Sequence, residues 1–309
     1  MTPTPISNRR SAILRELAWF LTGAFVPFAC MGAMAAGAGG LAHWPLLTPL
    51  GMLTPMLSGL VVQKFVARRP ILGPEGLGFR WGRLSWWLLA PCLAAALVAA
   101  TILASVAVTP GLAASKAQIA LNMAHLQLLP GGLGTAGQLA AAFALTLLAA
   151  PLLNLPIFLG EEVGWRGFMN PRLIELMGRP GLIVGGAFWA LWHLPIILLG
   201  HNYPQHPWLG LLIWIPVCAC MNVLLHAVRQ VSGSILPCAL AHGAMNQIAT
   251  LMLVLFVRQD RFIDVLHGPA GLIGLLILLP PAIWTWRFLR GPGASPVGRQ
   301  ASPQVIVAS

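Results

Sequence analysis

Residues 138–162, QLAAAFALTLLAAPLLNLPIFLGEE, decide how the rest of the chain is read. The run from 138 to 160 carries no charge and matches the roughly 20 residues that cross a bilayer core as a helix. Its apolar residues do not alternate with polar ones, which excludes a membrane barrel strand. Working outward, comparable runs lie at about 17–41, 45–66, 86–109, 181–200, 208–228, 235–257 and 270–289. Composition agrees: 58% of residues are hydrophobic, 8% are charged and the mean hydropathy is +0.81. A soluble domain carries about 25% charged residues. The expected fold is therefore all-α, a polytopic membrane helix bundle of about eight transmembrane helices. Proline inside the runs, as at Pro91, Pro151, Pro156 and Pro216, is tolerated where neighbouring helices re-satisfy the backbone.

The organisation around these runs is simple. Residues 1–16 read as a cytoplasmic N-terminal segment, 17–290 as a single membrane domain and 291–309, rich in Pro, Gly and Ser, as a disordered tail. The first run exceeds the roughly 7–15 residues of a signal-peptide core, and Arg15 and Glu16 stand at its mouth, so it is expected to be a retained span despite the Arg9-Arg10 pair. Residues 110–137 form the longest outer connection, with room for a short interfacial helix.

The net charge of +11 comes from scattered basic clusters without an aromatic-interleaved face, which points to lipid headgroups as partners and not to nucleic acid. A cytoplasmic N-terminus leaves only Lys116, Arg258 and Arg261 on the far side, so a multi-pass protein of the cell membrane with both termini in the cytoplasm is expected. That orientation puts Glu161 and Glu162 at the cytoplasmic end of the fourth span. It leaves the loop 201–207 outside and free of fixed charge. Cys30, Cys92, Cys218, Cys220 and Cys238 all lie in apolar segments and read as small packing residues.

The polar residues at membrane depth mark a site. The chain has seven acidic residues, and two of them, Glu161 and Glu162, are adjacent at the end of an apolar run. Carboxylates beside hydrocarbon are costly unless paired, hydrated or used in chemistry. Arg166 follows Glu162 by four residues, the spacing at which helical side chains meet, so Glu162 and Arg166 read as a supporting ion pair. His193 and His226 lie in later runs, while His242 and Asn246, four apart, share one helix face and can address one ligand. His193 lies deep in its run, and Gly185-Gly186 would bring it nearer the site if the helix began there.

A carboxylate helped by a histidine can deprotonate water, and a His with an Asn can donate to an oxyanion. That is amide or ester hydrolysis. The same Glu and His residues would also satisfy a divalent metal such as zinc, with Glu161, His193 and His242 as ligands, although no His-Glu-x-x-His helix is present. Ser58-Gly59 and Ser232-Gly233-Ser234 lack a serine-protease context. Asp260 and Asp264, beside Arg258 and Arg261, read as a solvated cluster.

Three ordered motifs, Glu161-Glu162 with Arg166, Trp189 four before His193, and His242 four before Asn246, resemble those of the CAAX prenyl protease and bacteriocin-processing family of intramembrane endopeptidases. The resemblance covers about residues 140–257. The second motif departs from the family's usual phenylalanine: Trp189 holds that place, with Phe188 beside it.

The resemblance implies an eight-helix bundle and a catalytic set of Glu161, His193, His242 and Asn246, supported by Glu162, Arg166 and Trp189. Glu161 would be the general base, His193 would orient the water, and His242 with Asn246 would form the oxyanion hole. No cofactor is preferred on this reading. The substrate would be a membrane-associated peptide or protein, and nothing in the sequence selects a prenyl group. Trp165, Trp189 and Trp192 would be interfacial anchors or the wall of an apolar groove. A non-catalytic immunity or scaffold protein of the same fold and a transporter are the competing readings. The latter is disfavoured because the first three spans are expected to carry essentially no ionisable group at depth.

Overall fold

The computed structural model describes residues 6–126 and 135–289. The expected tail from 291 and the turn at 130–132 fall outside them. Helix α1 (Ile6–Gly37) takes in most of the segment expected to precede the first span. It packs against α2 (Trp44–Val61), which continues as a π-helical turn, Val62–Val66. Helix α3 (Trp86–Val108) follows, then the short outer helix α4 (Lys116–Leu126). Among the described residues no strand forms; Ala113 and Val257 make an isolated bridge.

The run that opened the reading is not one straight helix. It comprises α5 (Thr135–Ala144), a π-turn at Leu145–Ala149 and α6 (Ala150–Leu153), and then bends at Asn154. Pro156 has no N–H for the helical ladder, and the Asn154 Nδ2 donates to the Ala150 carbonyl at 3.0 Å, which fixes the bend. The chain goes on through α7 (Leu155–Glu162), a second π segment, Val163–Met169, and α8 (Asn170–Met177). Glu161 and Glu162 therefore lie inside a continuous helical path that follows the bend at Asn154.

The expected span 181–200 is also shorter than its apolar run. Helix α9 (Gly181–Trp192) has 12 residues, about 18 Å, against a core of about 30 Å. It stops because Pro195 cannot donate to the Leu191 carbonyl; a single turn, α10 (Leu194–Ile197), follows. Gly185 and Gly186 lie within α9 and do not start it. A Cβ on Gly186 would stand 2.4 Å from the Ala219 Cα, so this glycine lets α9 lie directly on α11 (Pro207–Ser232). Helix α12 (Leu236–Phe256) packs on α3 and α7, and α13 (Leu272–Phe288) on α11.

Among the described residues five helices are long and apolar enough to cross a membrane, and α9 and α13 are shorter apolar helices. Leu103, Leu212 and Trp284 point outward, as hydrocarbon-facing residues do. The chain is a multi-pass membrane protein built as an all-α bundle.

Two polar groups depart from expectation. Glu16 is buried, not a mouth residue: it accepts from Arg172 Nε at 2.7 Å, while Arg172 Nη2 donates to Gln63 Oε1 at 2.9 Å. This tie joins α1 and the end of α2 to α8, so α1 carries a buried ionisable group. Asp264 is buried as well, and it accepts from the backbone N–H groups of Gln205 and His206 at 2.6 and 3.2 Å. It also meets His206 Nδ1 at 2.8 Å, so the loop at 201–207 is pinned by a carboxylate; Asp260 alone forms the exposed pair, with Arg258.

Candidate active site

The site begins with the π segment. Wide π turns are rare and concentrate at functional positions. Here one is made possible by glycines that bring the backbone onto α2. A Cβ on Gly160 would stand 2.3 Å from the Met52 carbonyl oxygen, and one on Gly164 would stand 2.4 Å from the Pro55 Cβ. No larger side chain fits either place. This close approach seats both carboxylates in the interior, with Glu162 fully enclosed and Glu161 3% exposed.

The two carboxylates have different surroundings. Glu162 Oε1 accepts from Arg166 Nη1 at 2.7 Å and meets His242 Nδ1 at 2.9 Å, and Oε2 accepts the Cys238 thiol at 2.9 Å. Three donors occupy it. Glu161 Oε2 accepts the Trp189 indole N–H at 2.6 Å. Glu161 Oε1 has no partner among the described residues and is not among the fully enclosed polar atoms that lack one, so it borders open space.

Sequence spacing puts Glu161 against the histidines, but the structure gives His242 to Glu162. Residues 161 and 162 are about 100° apart around a helix, and it is the Glu162 side that meets α12. Glu161 and His242 interact electrostatically without a hydrogen bond.

His193 owes its orientation to the early end of α9. Its backbone N–H bonds back to Ala190, which leaves the Trp189 carbonyl free of a helical partner. His193 Nδ1 takes that carbonyl at 2.8 Å. A carbonyl only accepts, so Nδ1 carries the proton and Nε2 presents a lone pair. His193 is partly exposed and Asn246 exposed. Asn246 Nδ2 lies 3.4 Å from His242 Nε2, and the Trp189 ring packs edge-on to His242 at 5.4 Å.

Trp165, Trp189 and Trp192 are all buried, so they are neither interfacial anchors nor walls of an open groove. The Trp189 ring instead carries the Arg166 guanidinium 3.9 Å above its centroid, a cation–π contact that supports an arginine whose Nε and Nη2 have no hydrogen-bond partner. Cys238 is the contact that the sequence reading passed over. Its signal was its place four residues before His242, one turn away on the same face. Among the described residues His226 Nδ1 has no hydrogen-bond partner.

Glu161, His193 and His242 do not converge as a metal-ligand set. Among the described residues no three His, Cys, Asp or Glu side chains gather at ligating distance. On each ring Nδ1 is taken, by the Trp189 carbonyl for His193 and by Glu162 for His242, which leaves Nε2 as the nitrogen that a ligand would meet.

A comparison with curated proteins gives no match. Residues 136–248 match the family model described as type II CAAX prenyl endopeptidase, Rce1-like. This span contains Glu161, Glu162, Arg166, Trp189, His193, His242 and Asn246. Over these residues the chain is similar to the Rce1-like family of CAAX-type intramembrane endopeptidases.

Proposed function

We propose that this protein hydrolyses a peptide bond of a membrane-associated, lipidated peptide or protein, using water activated by Glu161. The observation that carries this reading is the inequality of the two carboxylates. Glu162 is filled by three donors, whereas Glu161 has the single Trp189 donor and an oxygen with no hydrogen-bond partner among the described residues. Water on Glu161 Oε1 loses a proton to that carboxylate as its oxygen attacks the scissile carbonyl carbon, and the bare Nε2 of His193 accepts a hydrogen bond from the hydrogen that stays on the water oxygen. When the C–N bond breaks, Glu161 returns its proton to the leaving amine.

His242 and Asn246 serve the oxyanion. In the arrangement found, His242 Nε2 faces the Asn246 amide. Donation to an oxyanion needs a proton on Nε2, and the Glu162 carboxylate on Nδ1 balances the imidazolium so formed; the Asn246 amide then turns to the same oxygen. The reading uses no metal. The distribution of Lys and Arg supports cytoplasmic termini, with cleavage on that side of the membrane.

The test uses purified protein in liposomes and a quenched fluorescent peptide ending in a prenylated cysteine and three further residues. Glu161→Gln is expected to lower kcat by roughly 10²–10⁴ while the protein remains folded. A chelator such as EDTA is expected to leave wild-type turnover unchanged. Wild-type turnover by Glu161→Gln would refute the base assignment, and loss of turnover with chelator, restored by zinc, would refute the metal-free chemistry.

A further inference from the structure

We infer that Trp189 is the positioning residue of this site, orienting the general base through its side chain and the water-orienting histidine through its backbone. The inference rests on the assignment of Glu161 as base. It comes from two contacts made by one residue. The indole N–H donates to Glu161 Oε2 at 2.6 Å, and the backbone carbonyl accepts from His193 Nδ1 at 2.8 Å.

Each contact has a chemical consequence. A glutamate side chain has three rotatable bonds, and in the interior its carboxylate can turn either oxygen toward any donor. Of the donors around it, the indole N–H takes Oε2 alone, which leaves Oε1 for water. The carbonyl contact removes the other freedom: it fixes the His193 ring and its tautomer, with Nε2 unprotonated. Both reactive atoms are thus referred to one residue, and their separation is set by the geometry of Trp189.

Trp189 is itself immobile. It is 1% exposed, its ring lies beneath the Arg166 guanidinium at 3.9 Å, and its edge packs on His242 at 5.4 Å. Arg166 in turn is held by Glu162 at 2.7 Å. The supporting ion pair therefore acts on the chemistry through Trp189: it clamps the ring whose N–H holds Glu161. A phenylalanine here would keep the backbone carbonyl and an aromatic face for Arg166, and would remove the N–H together with part of the indole ring. Glu161 would then lack its single donor and could rotate.

Trp189→Phe in the full chain separates these roles. In liposomes, with the same prenylated peptide, kcat is expected to fall about 10- to 100-fold with KM unchanged, because misplacing a reacting group by about 1 Å costs on that order. The smaller ring leaves a cavity, so the detergent unfolding midpoint should fall modestly while the protein remains folded, and the KM-against-kcat split and the indole resonance separate positioning from this packing loss. In protein labelled with ¹⁵N-tryptophan, the indole resonance lost in Trp189→Phe should lie downfield in wild type and move upfield in Glu161→Ala.

Wild-type kcat in Trp189→Phe, beside an inactive Glu161→Gln, would overturn the positioning role and leave the base assignment standing. A Trp189 indole resonance that ignores Glu161→Ala would overturn it too. Full activity of Glu161→Gln would overturn both readings together. A rise in KM at constant kcat would assign Trp189 to substrate binding and overturn positioning.

Discussion

Arg166 shows at the scale of one residue how the site is held. Its guanidinium is fully buried, spends Nη1 on Glu162 and lies flat on Trp189. Removing one partner of a buried ion pair leaves an uncompensated charge, at a cost of about 3–5 kcal/mol. Arg166→Met should therefore lower the thermal midpoint in detergent markedly, and adding Glu162→Gln should recover part of the loss. A single variant that melts like wild type would contradict the pairing. The spacing of Glu162 and Arg166 was legible in the sequence because four residues bring side chains together on any helix. The His242–Glu162 contact was not, because it depends on how α12 is rotated against α7. Nor was the thiol of Cys238, since cysteine in an apolar run most often only packs.

At the scale of elements, the site depends on two helices that depart from regular form. The π segment Val163–Met169 is seated by Gly160 and Gly164 against α2, and α9 ends early at Trp192, ahead of Pro195. A Cβ on Gly164 meets Pro55 Cβ, C and O at 2.4–2.6 Å, and the Pro55 backbone cannot move aside cheaply. Gly164→Ala should destabilise the protein by about 1–3 kcal/mol, the usual cost of overpacking. It should also lower peptide cleavage, because the same shift displaces Glu161 and Glu162. Unfolding and turnover measured on the purified variant check this, and unchanged values for both would show that α2 does not seat the carboxylates. Hydropathy cannot reveal either irregularity, since the apolar run 181–200 continues past the helix end. Only Pro195, and Pro156 next to Asn154, gave a local sign of where the helices break.

The whole molecule follows the expectation set by composition: an apolar, charge-poor chain folds as a membrane bundle with its few acidic residues employed. Of the acidic residues, Glu16 ties α1 to α8, Glu162 holds Arg166 and His242, and Asp264 pins the loop at 201–207. The sequence placed Glu16 and Asp264 at surfaces because each lies at the edge of an apolar run, and only tertiary packing encloses them. Glu161 keeps an open oxygen for water. Peptide termini compared by mass spectrometry in membranes expressing wild type or Glu161→Gln put that assignment to the test. New termini on the cytoplasmic side of membrane-associated proteins are expected with wild type and absent with Glu161→Gln; the same termini in both, with equal protein levels, would contradict water activation by Glu161.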